Sequence, residues 1–401
     1  MDDFVVHKHQ KNFEAAVRLL NGDPGVGPEN RELIFKFSKV RMAKGVSKTR
    51  TVKCIYFLRS LAGMLKKPFD QATKNDLIAL VGDVENTNYK ETTKYDFKII
   101  LKVFYKWLKG NDEAYPAEVN WLRPRMKNGA HKLPEELLTE EEVFKLADAA
   151  DHPRDKAFVL VLYETGCRIG ELLSLKMKNV QFDDYGAVLR VTGKTGDRRV
   201  RIISSAPALA SWIQVYPFAK NSEAPLWPPL CTNYKYYGQP VEYCSIRALL
   251  ANLAKKSGVT KSLYPHLFRH SRATALAGKL TEAQMKEYFG WTQSSEMASV
   301  YVHLSGRDVD NALLALQGLA KPEDRKEDQL KVCFCPRCRE KNSPIAKFCL
   351  RCGTPMDAQV MAHVEDEKKN GDELMNALMK DAEFKEFLYK KAAALGFEKR
   401  L

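Results

Sequence analysis

Between about positions 30 and 109, apolar residues recur at every third or fourth place with almost no strand-like alternation, the pattern of packed amphipathic helices. Phe97, Ile100, Leu101, Phe104, Trp107 and Leu108 make one continuous apolar stripe. The other faces carry two basic groups, Lys44, Lys48, Arg50, Lys53, Lys66 and Lys67, then Lys94, Lys98, Lys102 and Lys106. Singly, such residues only solvate a helix, whereas as a set they suit a surface that tracks phosphates. Over residues 111–138 the pattern fails, and NDEAYPAEVNWLRPRMKNGAHKLP, with its three prolines, reads as a linker.

A second domain opens at Thr139, whose spacing to Glu142 in LTEEEVFKLA fits a capping box. The next helix, over about 154–163, is apolar enough to be buried. AVLRVTGKTGDRRVRII then reads as a hairpin, because β-branched residues flank the polar turn GKTGD. Residues 206–243 are rich in proline and aromatics and match no periodicity, and helices are expected over 245–257, 266–277, 282–289 and 297 to about 316. A charged KPEDRKEDQ linker leads into a cysteine cluster, and Leu374, Leu378, Phe384, Phe387, Leu388 and Leu395 predict a broken amphipathic helix at the end. No internal repeat is apparent. The fold class expected is mainly α with a small β-sheet.

At 401 residues the chain exceeds the size at which single cores stop growing, so two or three domains are expected, and 45% hydrophobic content supports packed cores. With 64 Lys and Arg against 50 Asp and Glu, the net charge of +14 draws polyanions, nucleic acid first among them. MDDFVVHKHQ lacks the apolar run of a secretion signal, and no stretch of ~18 apolar residues could span a bilayer. The expectation is a soluble, cytoplasmic protein with no membrane partner.

Cys335 and Cys338, then Cys349 and Cys352, form CPRC and CLRC, two CxxC knuckles ten residues apart. Four thiolates so spaced suit a closed tetrahedral site, so structural Zn²⁺ is expected there. A redox CxxC is the competing reading, but such motifs come singly. Cys333 is a fifth thiol nearby, and Cys54, Cys167, Cys231 and Cys244 read as ordinary reduced thiols. So short a module has almost no core, which makes the ion its source of folding energy.

The remaining chemistry lies in ETGCRIGEL, with Arg168, in HLFRH, with His266 and Arg269, and in Trp291 and Tyr301. Two planar guanidinium forks suit the non-bridging oxygens of a phosphodiester, and a tyrosine supplies a nucleophile. No carboxylate cluster of the kind a two-metal nuclease needs accompanies these motifs, so metal-free phosphoryl transfer is expected.

In that order and spacing, Arg168, the GKTG hairpin, HLFRH, Trp291 and Tyr301 resemble the tyrosine recombinase, or phage-type integrase, family over roughly positions 30–316. The resemblance implies a helical core-binding domain and a mixed α/β catalytic domain that clamp duplex DNA. It implies that Arg168 and Arg269 contact the scissile phosphate, that Lys194 protonates the leaving 5′-oxygen, with the neighbouring Arg198 and Arg199 as alternative phosphate ligands, and that His266 acts as general base or orients the phosphate. Trp291 stands where many members carry a second histidine, and its indole N–H can donate but not accept. Tyr301, about ten residues past Trp291 and one residue further than is common, would be the nucleophile that forms a 3′-phosphotyrosine. His270 and Glu171 are expected only to support these groups. CPRCREKNSPIAKFCLRCG also resembles zinc-ribbon appendages of archaeal integrase-like recombinases, its basic residues suiting a DNA-binding arm over a protein-contact module.

The expected boundaries are an N-terminal extension at 1–28, a SAM-like core-binding domain at 29–112, a linker at 113–138, the catalytic domain at 139–320, the zinc ribbon at 331–356 and a helical segment at 357–401. The implied function is site-specific recombination by a homotetramer on paired DNA sites, the free protein being a monomer or dimer. It would integrate or excise a mobile element or resolve replicon dimers. A type IB topoisomerase and a non-catalytic zinc-ribbon DNA-binding regulator are the alternatives.

Overall fold

The computed structural model describes residues 9–110, 113–126, 136–193, 196–230, 238–302, 313–314, 317 and 331–394. Lys194, Cys231, Leu395, the KPEDRKEDQ linker and most of 303–316 lie outside the described residues. The chain divides into two compact units, Met1–Leu133 and Pro134–Leu401.

The first unit is helical: α1 (His9–Asn21), α2 (Pro28–Ala43), α3 (Lys48–Leu65), α4 (Lys74–Glu85), α5 (Glu91–Lys109) and the short α6 (Ala117–Asn120). The expected stripe of α5 turns inward, and Phe104 is fully buried among the rings of Phe37, Phe69 and Trp107. Tyr105 reaches the same centre and donates its hydroxyl to the Phe69 carbonyl at 2.7 Å. Helix α1 falls within the stretch 1–28 and joins this core through Ala16 and Leu20, because Phe13, Ala16, Val17 and Leu20 fall on one helical face and pack with α3. Many of the basic residues on the outer faces answer acids of the same unit. Lys53 pairs with Asp96 at 2.6 Å, Lys67 with Asp76 at 2.8 Å and Lys98 with Glu85 at 2.6 Å, while Lys102 donates to the Leu122 carbonyl.

The second unit is built around α8 (Pro153–Thr165), whose residues are almost all buried. It packs against α7 (Glu140–Asp148), α10 (Ala206–Val215) and α12 (Pro265–Ala277), with α9 (Ile169–Leu173) following it in the chain. Thr139 and Glu142 form the expected capping box at the start of α7. The hairpin gains a strand: β1 (Val180–Asp183), β2 (Gly186–Gly193) and β3 (Gly196–Ile202) make one antiparallel sheet in that order. Helices α11 (Tyr243–Ser257), α13 (Glu282–Phe289) and α14 (Met297–Val302) belong to the same unit.

A buried acid ties its layers. Glu164, near the end of α8, accepts from the backbone N–H groups of Ile203, Ser204 and Ser205 and from the Ser205 hydroxyl. The main-chain carbonyl of the same residue accepts from Arg272 of α12 and from the Tyr288 hydroxyl of α13. The chain then carries a small module with β4 (Cys333–Phe334) paired to β5 (Lys341–Asn342). Two helices follow, α15 (Ala358–Leu378) and α16 (Ala382–Ala394), broken where Asp381 caps the Phe384 N–H. No described helix is long and apolar enough to cross a membrane.

Phe104→Ala empties a filled aromatic centre, so the chain should lose roughly 3–5 kcal/mol of unfolding free energy in a denaturant melt of the first unit. A loss below about 1 kcal/mol would mean that the stripe is not the core.

Candidate active site

The site begins where α8 stops. Gly166 ends that helix at φ +53, and a Cβ there would lie 2.6 Å from a ring carbon of Phe289. Only glycine satisfies both the left-handed turn and that close approach. The turn delivers Arg168 to the N-terminus of α9, where its guanidinium donates to Glu171 at 2.8 Å and to the Gly290 carbonyl at 3.0 Å.

Two more arginines reach the same helix end. Arg269 of α12, 5% exposed, donates to the Phe289 carbonyl at 2.6 Å and back to the Gly166 carbonyl at 2.9 Å. Arg198 of β3 donates its Nε to the Tyr288 carbonyl at 3.1 Å. Three consecutive carbonyls at the C-terminus of α13, those of Tyr288, Phe289 and Gly290, are therefore each held by a different arginine. These carbonyls have no partner further along their own helix, and a helix C-terminus carries partial negative charge, so cations are favoured there. Gly290 permits the arrangement, because its φ is +61 and a Cβ would meet the Arg198 guanidinium at 2.7 Å.

Glu171 is the acid facing this cluster. It is buried and accepts from both Arg168 and Arg198, the latter at 2.7 Å. Burial alone would raise its pKa, but the hydrogen bond and charge of Arg198, then the side-chain and backbone hydrogen bonds of Arg168, outweigh it and hold the carboxyl below its ordinary value. One carboxylate against three guanidiniums leaves an excess of positive charge in a partly enclosed site, which suits an anion.

Beyond the arginines lies an aromatic stack. Phe289 stacks on Trp291 with centroids 4.9 Å apart, and Trp291 stacks on Tyr301 at 5.7 Å with their planes 4° apart. The Arg269 guanidinium sits 5.5 Å from the centroid of the Trp291 ring. Tyr301, on α14, is 5% exposed, and burial pushes its hydroxyl up to about 12 against the opposing pull of the Arg269 charge. Its oxygen is hydrogen-bonded to His270 Nδ1. His266 lies one turn before Arg269 on α12, and burial, then the charges of Arg269 and Arg168, lower its pKa.

The structure thus brings Arg168, His266, Arg269, Trp291 and Tyr301 together; Lys194 lies outside the described residues. Two further residues belong with them. Arg198, which the sequence leaves as a possible phosphate ligand, turns inward to Glu171 and the end of α13, its side chain 9% exposed. His270, expected only in support, touches the tyrosine hydroxyl itself, and its place next to Arg269 in HLFRH was the signal for it.

Away from this site, the sulfurs of Cys335, Cys338, Cys349 and Cys352 all lie within 4.8 Å of one another. The Cys335–Cys352 and Cys338–Cys349 separations are 3.5 and 3.6 Å, close to the roughly 3.8 Å expected between thiolates at tetrahedral zinc. Buried Asn342 donates to Cys349 Sγ and accepts from the Leu350 N–H, which shapes the second knuckle. The residues fit structural Zn²⁺, and Cys333, exposed, stands outside the set. The module contacts the rest of its unit: Lys341 donates to the Asp184 carbonyl, and Lys347 pairs with Asp148 at 3.5 Å.

Residues 136–307 match the phage integrase family, and residues 334–356 match a zinc-ribbon domain. Transposase A of transposon Tn554 from Staphylococcus aureus is 28% identical over 183 residues, covering 43% of this chain and 50% of that protein. The chain thus spans about half the length of that relative. Tyrosine recombinase XerA of Pyrococcus horikoshii is 28% identical over 249 residues, covering 61% of this chain and 79% of its own. Among solved structures, the integrase of transposon Tn1549 in complex with a circular intermediate DNA superposes with a TM-score of 0.54 at 18% identity, over 71% of this chain and 99% of that one, which shows a shared fold.

Two outcomes test the site as built. Glu171→Gln removes the charge that Arg168 and Arg198 answer and should cost about 3 kcal/mol near neutral pH. Because the folded pKa of Glu171 is depressed, this contribution is present above the unfolded value, near 4.3, and is lost as pH falls through the folded one. The gap between wild type and variant in denaturant melts should therefore close in acid; a gap that widened instead would reverse the assignment. For the ribbon, a mercurial titration of the thiols should release one zinc per chain, detected with a metallochromic dye, and Cys349→Ser should release none.

Proposed function

We infer, from a chain that belongs to the tyrosine recombinase, or phage integrase, family across residues 136–307, that it cuts and rejoins DNA at specific sites through a tyrosine-linked intermediate. One observation carries this reading: a buried tyrosine is stacked in parallel on Trp291, whose ring also carries the Arg269 guanidinium, beside a cluster of three arginines. A lone packing tyrosine needs no such company, whereas a nucleophile aimed at a phosphodiester does.

In the proposed reaction Arg168 and Arg269 bind the non-bridging oxygens of the scissile phosphate and offset the charge that grows on them. The Trp291 N–H donates to the same group, and His266 orients it. Tyr301 attacks phosphorus, the 3′-phosphate becomes esterified to the phenol, and the 5′-oxygen leaves as a hydroxyl with a proton from Lys194. The bond energy stays in the phosphotyrosine, so a second 5′-hydroxyl can reverse the step on a new strand. No metal takes part in this scheme; the zinc belongs to the ribbon.

The substrate is double-stranded DNA carrying recombination sites, which the net charge of +14 favours. The chain acts as a homotetramer on paired sites and as a monomer or dimer when free, in the cytoplasm, and it integrates or excises a mobile element or resolves replicon dimers. The first unit serves as the core-binding domain. The zinc ribbon braces the catalytic region through Lys341 and Lys347 and offers further basic residues, among them Arg337 and Arg339, to DNA.

Nicked suicide duplexes tiled across the DNA that flanks the encoding gene test this. In EDTA, one tile or a few should capture the wild-type chain covalently, while Tyr301→Phe should bind the same duplex in a gel shift and capture nothing. Attachment that survives the substitution would remove Tyr301 from its role, and capture on every tile alike would point to a topoisomerase.

A further inference from the structure

The phenol of Tyr301 is held on two sides: Trp291 fixes the plane of its ring, and His270 Nδ1 holds its oxygen. We propose that His270 is the base that takes the Tyr301 proton during strand cleavage and returns it during rejoining, an assignment that rests on the recombinase reading above.

A base is required. With its hydroxyl pushed up to about 12, the phenol is overwhelmingly protonated at neutral pH and a weak nucleophile until the proton leaves. Three neighbouring groups could be asked to remove it. Trp291 offers only an N–H and can accept nothing. His266, a turn earlier on α12, has its ring centroid 6.5 Å from that of His270 and is close enough to Arg269 and Arg168 for their charges to disfavour its taking a proton. The ring nitrogen in hydrogen-bond contact with the phenol is that of His270, and its own helix sets the geometry, since α12 packs directly against α14. Base catalysis starts from hydrogen-bond reach, and His270 has it before any substrate arrives.

The step balances. The Tyr301 proton passes to His270 Nδ1, which leaves the imidazole as imidazolium, while the phenolic oxygen forms its bond to phosphorus and the bond from phosphorus to the 5′-oxygen breaks. That oxygen takes its proton from the Lys194 ammonium. In rejoining, an incoming 5′-hydroxyl gives its proton to the lysine and attacks phosphorus, the phenolate leaves, and His270 returns the proton to it. Arg269, whose charge lowers the cost of phenolate, assists in both directions.

The test uses the nicked duplex that captures the wild-type chain, with single-turnover adduct formation as the readout. His270→Ala should slow capture by about 10²–10³ while gel-shift affinity and zinc content hold, and His270→Gln, which can hydrogen-bond but not accept a proton, should be as slow. Added imidazole should restore His270→Ala by at least about tenfold and leave His266→Ala unchanged. If His270→Ala fails to bind DNA, His270→Gln carries the comparison, with 3-fluorotyrosine at position 301, whose more acidic phenol should recover part of its loss. A wild-type rate in either His270 variant, no recovery from imidazole or from the fluorinated phenol, or imidazole rescue confined to His266→Ala overturns the assignment. If the wild-type chain captures no tile, the recombinase reading fails with it; if capture depends on Tyr301 but not on His270, only this inference fails.

Discussion

The second unit depends on the end of a single short helix. The last carbonyls of α13 have no partners of their own, and three arginines from three different elements supply them. Burying a guanidinium is costly, and Arg269 feels that cost: burial, then the nearby Arg168 charge, lowers its pKa to about 10. What offsets it is the negative end of two helices, α8 through Gly166 and α13 through Phe289, together with the faces of Phe289 and Trp291. Glu171 removes part of the remaining repulsion. The arginines are therefore scaffold and site at once, and the glycines at 166 and 290 are there because no side chain fits among them.

Much of this was legible in the sequence, and for local reasons. The spacing of HLFRH, Trp291 and Tyr301 is a linear record of who meets whom, because α12, α13 and α14 follow one another closely, whereas ETGCRIGEL, which joins them across 122 residues, was legible only as a motif. The capping box at Thr139 and the two cysteine knuckles are local as well. What escaped depends on partners distant in sequence. Arg198 looks like any exposed residue of a basic hairpin until β3 is laid against α13. Glu164 opens the ETGCRIGEL segment, but nothing local there tells that its carboxylate holds the connection after β3, accepting from Ser205 41 residues away. Strand β1 is only four residues and mostly exposed, and only its pairing to β2 reveals it. Helix α1 lies within the stretch set apart as an N-terminal extension, and its apolar face gains meaning only against α3.

The zinc module and the helices after it show two ways of stabilising a short segment. The ribbon has four sulfurs placed for an ion in place of a core, and it leans on the rest of its unit through two lysines. Helices α15 and α16 have neither device. Leu374 is 62% exposed and Phe387 is 63% exposed, so the apolar face that the sequence advertises is not covered by the described residues of the same chain.

A guanidinium has more than one edge, and that geometry has a consequence for how this cluster can change. Arg168 uses one edge to hold Gly290 and Glu171, and its side chain, a third of which is open to solvent, can present another to a ligand. A lysine has a single point of charge and could do one of these jobs or the other. Remodelling what the pocket grips would therefore loosen the hinge pin on which its walls are hung, so variation in specificity is expected to come from surfaces elsewhere on the chain.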